Sequence, residues 1–312
     1  MAEAISTLPS PSPAPGSGRV TKTDETPRYN RAWIGRLFIY ATLIAMAAAY
    51  LMPLWVMVTT SLKPLEEIYG GSFIGFPQNF TLDAWRVAWS QACIGTECTG
   101  LKPYFVNSLL IVIPAVVLST GIGAINGYIL TKWRFPGANL VFGLLLFGCF
   151  LPYQAILIPM ARTLSLIGLA GSIPGLILVH VSYGICFTTL FFRNYFVTLP
   201  DDLTKAALVD GAGFFRIFWS IILPTSIPII VVSCIWQFTQ IWNDFLFGVS
   251  FTSGAHSPIT VALNNIVNVT TGRKQYNIDM AAAMIAGIPT LLVYIVAGRY
   301  FVRGLTAGAV KG

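Results

Sequence analysis

A group of polar side chains interrupts an apolar stretch of the chain between residues 219 and 247. Its members are Ser233, Gln237, Gln240, Asn243 and Asp244. Four of them recur at intervals of four, three and four residues, which places them on one face of a helix. Amides and a carboxylate can hydrogen-bond to the hydroxyls of a polar solute. The face could therefore form the wall of a hydrophilic pathway, or it could supply hydrogen bonds between neighbouring helices.

The residue groupings that would indicate an enzyme are absent from the sequence. It contains no G-x-x-x-x-G-K-[ST] phosphate loop, so we do not expect the chain itself to hydrolyse ATP. Its two histidines, His180 and His256, are too far apart for an H-E-x-x-H zinc site, and no Ser/His/Asp grouping is evident. We predict a protein that is not an enzyme and binds no metal or cofactor, with His180 as a hydrogen-bonded core residue.

A second polar group lies within residues 199–228, which read LPDDLTKAALVDGAGFFRIFWSIILPTSIP. Pro200 ends one helix, and Asp201 is expected to cap the next through its carboxylate. Gly211 is the residue best able to take the left-handed turn that ends a helix, and a further helix is expected after Gly213. We name residues 199–220 the elbow.

The short helix of the elbow has a regular pattern. Leu203, Ala206, Ala207 and Asp210 fall at positions that share one helical face. A helix, a glycine turn and a second helix could dock into a cleft of a soluble partner. They could also lie on a bilayer surface as an ordinary amphipathic segment.

The composition predicts the elements that must position these groups. Of the 312 residues, 55% are hydrophobic and 10% are charged, against about 25% charged in a soluble domain. The mean hydropathy is +0.71. Apolar runs long enough to cross a bilayer lie at about 37–58, 105–130, 140–162, 171–192, 219–247 and 279–302. We predict an all-α polytopic membrane protein with six transmembrane helices.

The distribution of charge predicts the orientation. Most of the 19 lysines and arginines fall in segments that are cytoplasmic if both termini lie inside, which agrees with the positive-inside rule. The net charge of +7 is scattered between apolar spans, so it favours anionic lipid headgroups over nucleic acid. Residues 1–30 are rich in Pro, Ser, Ala and Gly and are expected to be a disordered cytoplasmic N-terminus.

The longest predicted outer loop, about 60–104, contains Cys93 and Cys98. In an oxidising compartment they could close a small disulfide loop, or they could remain two free thiols. A further outer segment, about 250–277, is polar.

Several motifs together resemble the permease subunits of sugar-importing ATP-binding cassette transporters of the maltose type. They are TSLKP at 60–64, Lys205-Ala206-Ala207 followed by Asp210-Gly211-Ala212, Leu223-Pro224, and the C-terminal RYFVRGLTAGAVKG. The resemblance covers roughly residues 30–312, and it implies a permease domain at 31–312. Lys205 departs from the pattern, because the family usually has Glu there.

The resemblance implies that the elbow forms a coupling helix in a groove of an ATPase subunit. The coupling residues would be Leu203, Lys205, Ala206, Ala207, Asp210, Gly211, Ala212 and Arg216. It also implies a multi-pass protein of the bacterial inner membrane that acts with a second homologous permease, two ATPase subunits and a periplasmic sugar-binding protein. ATP would bind to the partner ATPases.

The long first outer loop with its cysteine pair resembles glucose- or mannose-type importers; disaccharides and glycerol phosphate are the rival substrates. The 250–277 segment could reach into the binding protein or simply connect two spans. The alternative function is an ATP-independent channel or facilitator for small polar solutes.

Overall fold

The structure is a computed structural model that describes residues 29–309, except for 72, 96, 134 and 269–271. The predicted disordered N-terminus lies outside this range apart from its last two residues, Tyr29 and Asn30, which are helical. Residues 310–312, at the end of the C-terminal motif, also lie outside it.

Helices make up the regular structure, and the described residues contain no β-strand. The α-helices are α1 (Tyr29–Ser61), α2 (Leu65–Gly70), α3 (Asp83–Ser90), α4 (Lys102–Lys132), α5 (Ala138–Cys149), α6 (Tyr153–Leu166), α7 (Ile173–Thr198), α8 (Asp201–Val209), α9 (Phe214–Ile217), α10 (Leu223–Thr225), α11 (Ile227–Trp242), α12 (Leu246–Phe251), α13 (Ile259–Val267) and α14 (Tyr276–Ala309). One π-helical turn (Phe218–Ile222) joins α9 to α10, and a 3₁₀ turn (Gly254–His256) precedes α13.

The chain divides into two compact units. The first ends at Pro53, so its described part is the beginning of α1. The second starts at Leu54 and contains every other helix described above.

Four helices in the described part of the chain are long and apolar enough to cross a membrane: Trp33–Ser61, Lys102–Lys132, Ile173–Thr198 and Tyr276–Gly298. Two bent pairs raise the number to six if each pair is one span. The all-α polytopic prediction is therefore confirmed. The third and fifth predicted spans, however, are not straight helices.

The two bends lie where the sequence weakens the helical hydrogen-bond ladder. The α5–α6 pair bends by 102° at a break that contains Pro152, which has no N–H to donate. Helix α11 bends by 78° from the preceding segment at Ser226, between Pro224 and Pro228. The Ser226 hydroxyl donates to the Ile222 carbonyl at 2.5 Å, which satisfies one acceptor that the break releases.

Helices α4 and α7 pack along much of their length. Gly123 and Gly127 allow the close approach: a Cβ added at Gly123 would lie 2.2 Å from Thr188 Oγ1, and one added at Gly127 would lie 2.7 Å from Phe192 Cβ. The Thr188 hydroxyl donates to the Ser119 carbonyl at 2.8 Å and ties the two helices together. Small residues at such contacts are typical of helix packing in membranes.

The end of the molecule near the first turn of α4 carries the cysteine pair. Cys93 and Cys98 form a disulfide bond, which decides between the two alternatives that the sequence left open. The adjacent Leu101 is fully buried, and its N–H donates to the Ala88 carbonyl of α3. The predicted 250–277 loop is not entirely irregular, since it contains α13, which buries Ile259 and Ala262 in the core.

Candidate functional site

A cavity of about 420 Å³ lies where α6 and α7 face the end of α11 and the start of α12. Its lining combines aromatic rings with amide, hydroxyl, imidazole and carboxylate groups. The lining residues are Tyr153, His180, Tyr183, Gly184, Trp236, Gln237, Thr239, Gln240, Ile241, Asn243, Asp244, Phe245, Leu246 and Phe247.

The predicted polar face divides into two parts. Gln240 and Asn243 are exposed and line the cavity. Ser233 is fully buried outside it, with its hydroxyl 3.4 Å from Thr120 Oγ1 on α4. The interhelical hydrogen-bonding interpretation is therefore confirmed for Ser233, whereas the pathway interpretation of Gln240 and Asn243 stays a prediction.

Gln237 both lines the cavity and makes a buried contact between helices. It lines the cavity but is only 2% exposed, and its Nε2 donates to the Ser119 hydroxyl at 2.7 Å. The glycine of α7 opposite it, Gly184, has no room for a side chain, because an added Cβ would lie 2.1 Å from Gln237 Nε2. Gln237 is thus held between α4 and α7 at the cavity wall.

The prediction that Asp244 continues the helical face is wrong. Helix α11 ends at Trp242, and Asp244 lies beyond it in a short irregular segment. Its carboxylate accepts hydrogen bonds from the N–H groups of Phe247 (3.3 Å) and Gly248 (3.0 Å). A carboxylate that satisfies the free donors of the next helix, α12, competes with continuation of the previous one.

His180 is buried, as predicted, but it also belongs to the cavity. Its Nε2 lies 3.8 Å from Asp244 Oδ2, and its ring packs edge-on against Phe247 with centroids 5.7 Å apart. Sequence reasoning missed this role because His180 and Asp244 are far apart in sequence. No spacing rule relates the two residues.

The aromatic wall was also missed. Tyr153 stacks on Tyr183 with ring centroids 4.6 Å apart, and the Tyr183 hydroxyl donates to the Leu151 carbonyl at 2.5 Å. Trp236 packs against Phe187 at 4.7 Å. Aromatic residues are so common in the apolar runs that their abundance gives no signal for a site.

The elbow lies at the opposite end of α4 from the disulfide and has the predicted helix–glycine–helix form. Helix α8 is followed by Gly211 in the left-handed conformation, at φ +77°, and α9 starts after Gly213. The Ala212 N–H donates back to the Ala207 carbonyl at 2.9 Å. The turn is therefore the helix-ending glycine turn that the sequence indicated.

The prediction that Asp201 caps α8 is wrong. Pro200 occupies the cap position, and the Asp201 carboxylate accepts a hydrogen bond from Lys132 Nζ at 2.7 Å. The same ammonium donates to the Leu199 carbonyl at 2.6 Å. A charged partner on α4 offers a stronger interaction than the backbone N–H groups of α8.

The predicted shared face of α8 is mostly exposed. Leu203, Ala206 and Asp210 are exposed, whereas Ala207 is buried together with Thr204. Several side chains of the elbow are apolar and exposed: Leu203, Leu208, Val209 and Phe215.

The remaining predicted coupling residues lie around this surface. Lys205 is exposed and lies 3.6 Å from Asp202. Arg216 and Gly211 are exposed, and Ala212 is half-buried. All of them are within or directly beside the exposed surface of the elbow.

Residues 119–306 match the family model of the binding-protein-dependent transport system inner membrane component. The chain belongs to this family. It is a multi-pass inner-membrane permease, one component of a transport system that depends on a binding protein. The prediction that the chain is not an enzyme is confirmed, because the family is a membrane transport component.

Relatives of the permease span nearly its whole length. It is similar to a probable ABC transporter permease protein of Pyrococcus horikoshii, with 42% identity over 278 residues that cover 89% of this chain and 98% of the relative. It is 33% identical over 299 residues to the xylose/arabinose import permease protein of Haloferax volcanii, covering 88% of this chain and 93% of the relative. The diacetylchitobiose uptake system permease protein of Streptomyces coelicolor is 31% identical, with 87% of this chain and 88% of the relative covered.

A solved structure supports the fold of the permease. A chain of a bacterial ABC transporter involved in the import of the acidic polysaccharide alginate superimposes with a TM-score of 0.75 at 20% identity. The match covers 88% of this chain and 100% of that chain.

Proposed function

We propose that the permease is one half of the membrane pathway of an ATP-binding cassette importer for a sugar. The observation that carries this proposal is the 420 Å³ cavity, which combines hydrogen-bonding groups with aromatic rings inside a membrane bundle. Its volume lies within the range of about 300–1,000 Å³ that is typical of small-molecule sites.

The chemistry of the lining suits a sugar. Gln240 and Asn243 offer amide donors and acceptors, and the Asp244 carboxylate is a strong acceptor for hydroxyl groups. Tyr153 and Trp236 add apolar ring surface to the lining, which suits the C–H groups of a pyranose. Polar groups in a membrane span are costly, so a set that faces an open cavity favours a solute pathway.

The elbow is the proposed docking site for an ATPase subunit. Leu203, Val209 and Phe215 are apolar and exposed, which favours a protein partner over water. The partner would contact the set predicted from the sequence: Leu203, Lys205, Ala206, Ala207, Asp210, Gly211, Ala212 and Arg216. Because Ala207 is buried against the permease itself, it supports the other contacts instead of making one. Lys205 presents a positive charge where the family usually has a carboxylate, so the facing ATPase residue is expected to be acidic or neutral.

The full assembly would contain a second homologous permease, two ATPase subunits that bind and hydrolyse ATP, and a sugar-binding protein. The elbow and both termini would be cytoplasmic, and the disulfide end would face the binding protein in an oxidising compartment. The permease itself would hold no cofactor or metal.

The substrate is proposed to be a monosaccharide of the glucose or mannose type. The support is the long first loop with its Cys93–Cys98 bridge, which resembles importers of that branch. Relatives named for xylose/arabinose and diacetylchitobiose make pentoses and amino-sugar disaccharides the competing substrates.

The proposal is tested by purifying the tagged permease from its native membrane in mild detergent and identifying its partners by mass spectrometry. We expect a second permease and an ATPase in stoichiometric amounts, and the associated binding protein can then be screened against glucose, mannose, xylose and diacetylchitobiose. Recovery of the permease alone, or only with copies of itself, in several detergents would contradict the importer assignment. A binding protein that rejects both hexoses would contradict only the substrate.

A further inference from the structure

The covalent connection from the elbow to α11 is poorly suited to transmit movement. After α9 the chain passes through a π-helical turn (Phe218–Ile222), the three-residue α10 and the break at Ser226. At that break α11 turns by 78°. A π-helical turn and a proline-flanked break are both points at which a helix deforms instead of moving as a rod.

The elbow is instead fastened to the last turn of α4. Lys132 Nζ lies 2.6 Å from the Leu199 carbonyl oxygen and 2.7 Å from Asp201 Oδ1. The Lys132 side chain is only 4% exposed, although it carries a charge. An ammonium group with so little exposure needs partners of this kind. The Asp201 carboxylate is 49% exposed, so loss of the pair costs less than loss of a fully buried one.

Aromatic packing holds the other arm of the elbow to the same part of α4. Tyr128 is fully buried, with ring centroids 4.9 Å from Phe214 and 5.4 Å from Phe218. Trp133, directly after α4, packs against Phe214 at 5.2 Å. Both helical arms of the elbow therefore contact the final turns of one long helix.

Helix α4 leads from this attachment to the cavity. It is a single α-helix from Lys102 to Lys132, and Ser119 lies about 20 Å along it from Lys132 at 1.5 Å per residue. The Ser119 hydroxyl accepts the hydrogen bond from Gln237, which lines the cavity. A shift of α4 can thus reach the cavity wall through this buried hydrogen bond, in addition to the packing of α4 against α7.

We propose that Lys132 is a positioning residue that locks the elbow to α4, so that movement of the elbow reaches the cavity through α4 and the Ser119–Gln237 contact. This inference rests on the proposed function of the permease as a subunit of an ATP-driven importer. The alternative route, in which the elbow tilts α11 directly through the continuous chain, is disfavoured by the π-helical turn and the break at Ser226.

The test uses the complete transporter, reconstituted with its ATPases and binding protein, and compares wild type with Lys132→Met. Three quantities are measured: the ATPase retained on the permease, ATP hydrolysis, and sugar uptake per ATP hydrolysed. We expect the assembly and its hydrolysis to persist, while uptake per ATP falls by about tenfold or more, within the usual range for coupling between distant sites.

Two further sets of variants decide the outcome. Lys102→Met removes an exposed lysine from the opposite end of α4 and is expected to leave uptake per ATP unchanged. If Lys132→Met does not assemble, Lys132→Arg, which keeps a cationic donor for Leu199 and Asp201, is compared with Asp201→Asn, which removes the charge of the partner; Lys132→Arg is expected to retain more uptake per ATP.

Unchanged uptake per ATP in Lys132→Met, or equal uptake per ATP in wild type, Lys132→Arg and Asp201→Asn, would overturn the proposal. A wild-type transporter whose uptake does not depend on ATP would instead overturn the proposed function, and that result is visible without any variant.

Discussion

Gln240 and Ser233 lie two helical turns apart on α11 but have different surroundings. Gln240 is exposed to the cavity, whereas Ser233 is fully buried against Thr120. Substitution of a residue that lines the solute pathway should change uptake, whereas substitution of a buried interhelical contact should change stability. Variants of Gln240 and Ser233 therefore distinguish the two roles.

We predict that Gln240→Leu raises the KM for sugar uptake about 5- to 13-fold, because the loss of one hydrogen bond costs about 1–1.5 kcal/mol. The melting temperature of the purified permease should not change, because no buried partner is lost. Uptake kinetics and a thermal unfolding assay in detergent measure the two effects.

Ser233→Ala is the matched comparison on the same helix. It should lower the melting temperature, because Thr120 loses its neighbour in a buried site, and it should leave the KM near the wild-type value. The opposite pattern in the two variants would show that the cavity is not the solute pathway.

Gly211 gives a second prediction at the residue scale. Its φ of +77° is unfavourable for a β-branched residue, and no atom lies within 4 Å of an added Cβ, so the effect of a side chain is conformational. Gly211→Val is expected to abolish most uptake by distorting the turn, at a cost of about 1–3 kcal/mol. The amount of permease in the membrane should be unchanged.

Asparagine tolerates the left-handed region, so Gly211→Asn should retain much of the activity that Gly211→Val loses. Uptake assays and immunoblots of membrane fractions compare the two variants. Normal uptake in Gly211→Val would refute the requirement for a left-handed turn.

At the same scale, the sequence predicted the local features better than the distant contacts. The turn at Gly211 was predictable because its conformation depends on glycine itself. Asp201 was assigned to a cap because the sequence does not show Lys132 beside it, and the contact of His180 with the cavity depends on the fold of two distant segments.

The close contact of α4 and α7 can be tested by adding a methyl group to α4 at Gly123. Gly123→Ala would place a Cβ within 2.2 Å of Thr188 Oγ1 and 2.8 Å of the Thr188 backbone, so one of the helices must move. We predict a loss of about 1–3 kcal/mol in the free energy of unfolding, the usual cost of overpacking. It is measured as a lower melting temperature.

Gly121→Ala is the matched control on α4, because no atom lies within 4 Å of an added Cβ there. That variant should be as stable as the wild type or slightly more stable, since alanine favours helix. Equal stability of the two variants would contradict the close packing of α4 and α7.

Apolar length predicted the candidate spans but not whether each is a straight helix. The runs at 140–162 and 219–247 have the length of a bilayer crossing, yet they bend by 102° and 78°. Proline positions indicated where a break was possible. Hydropathy alone does not show whether neighbouring helices satisfy the freed backbone groups or let the chain turn.

At the scale of the whole molecule, the charge distribution predicts that the elbow is cytoplasmic and the disulfide end is not. We test this with single added cysteines at two exposed positions, Ser253→Cys and Asn139→Cys. A membrane-impermeant thiol reagent should label Ser253→Cys in right-side-out spheroplasts. It should label Asn139→Cys only after permeabilisation.

The wild-type permease is the control for background labelling, because its free cysteines are Cys149, Cys186 and Cys234, none of which is fully exposed. Labelling with the opposite sidedness would invert the topology and remove the elbow from the ATPase compartment.

The proposed function requires that the permease couples sugar uptake to ATP hydrolysis by partner subunits. Its most direct test is sugar uptake into proteoliposomes that contain the purified assembly, with ATP enclosed or omitted and with the binding protein outside. We predict accumulation above the external concentration only when ATP and the binding protein are both present. Equilibration of sugar without ATP would instead identify a channel or facilitator and would contradict this account.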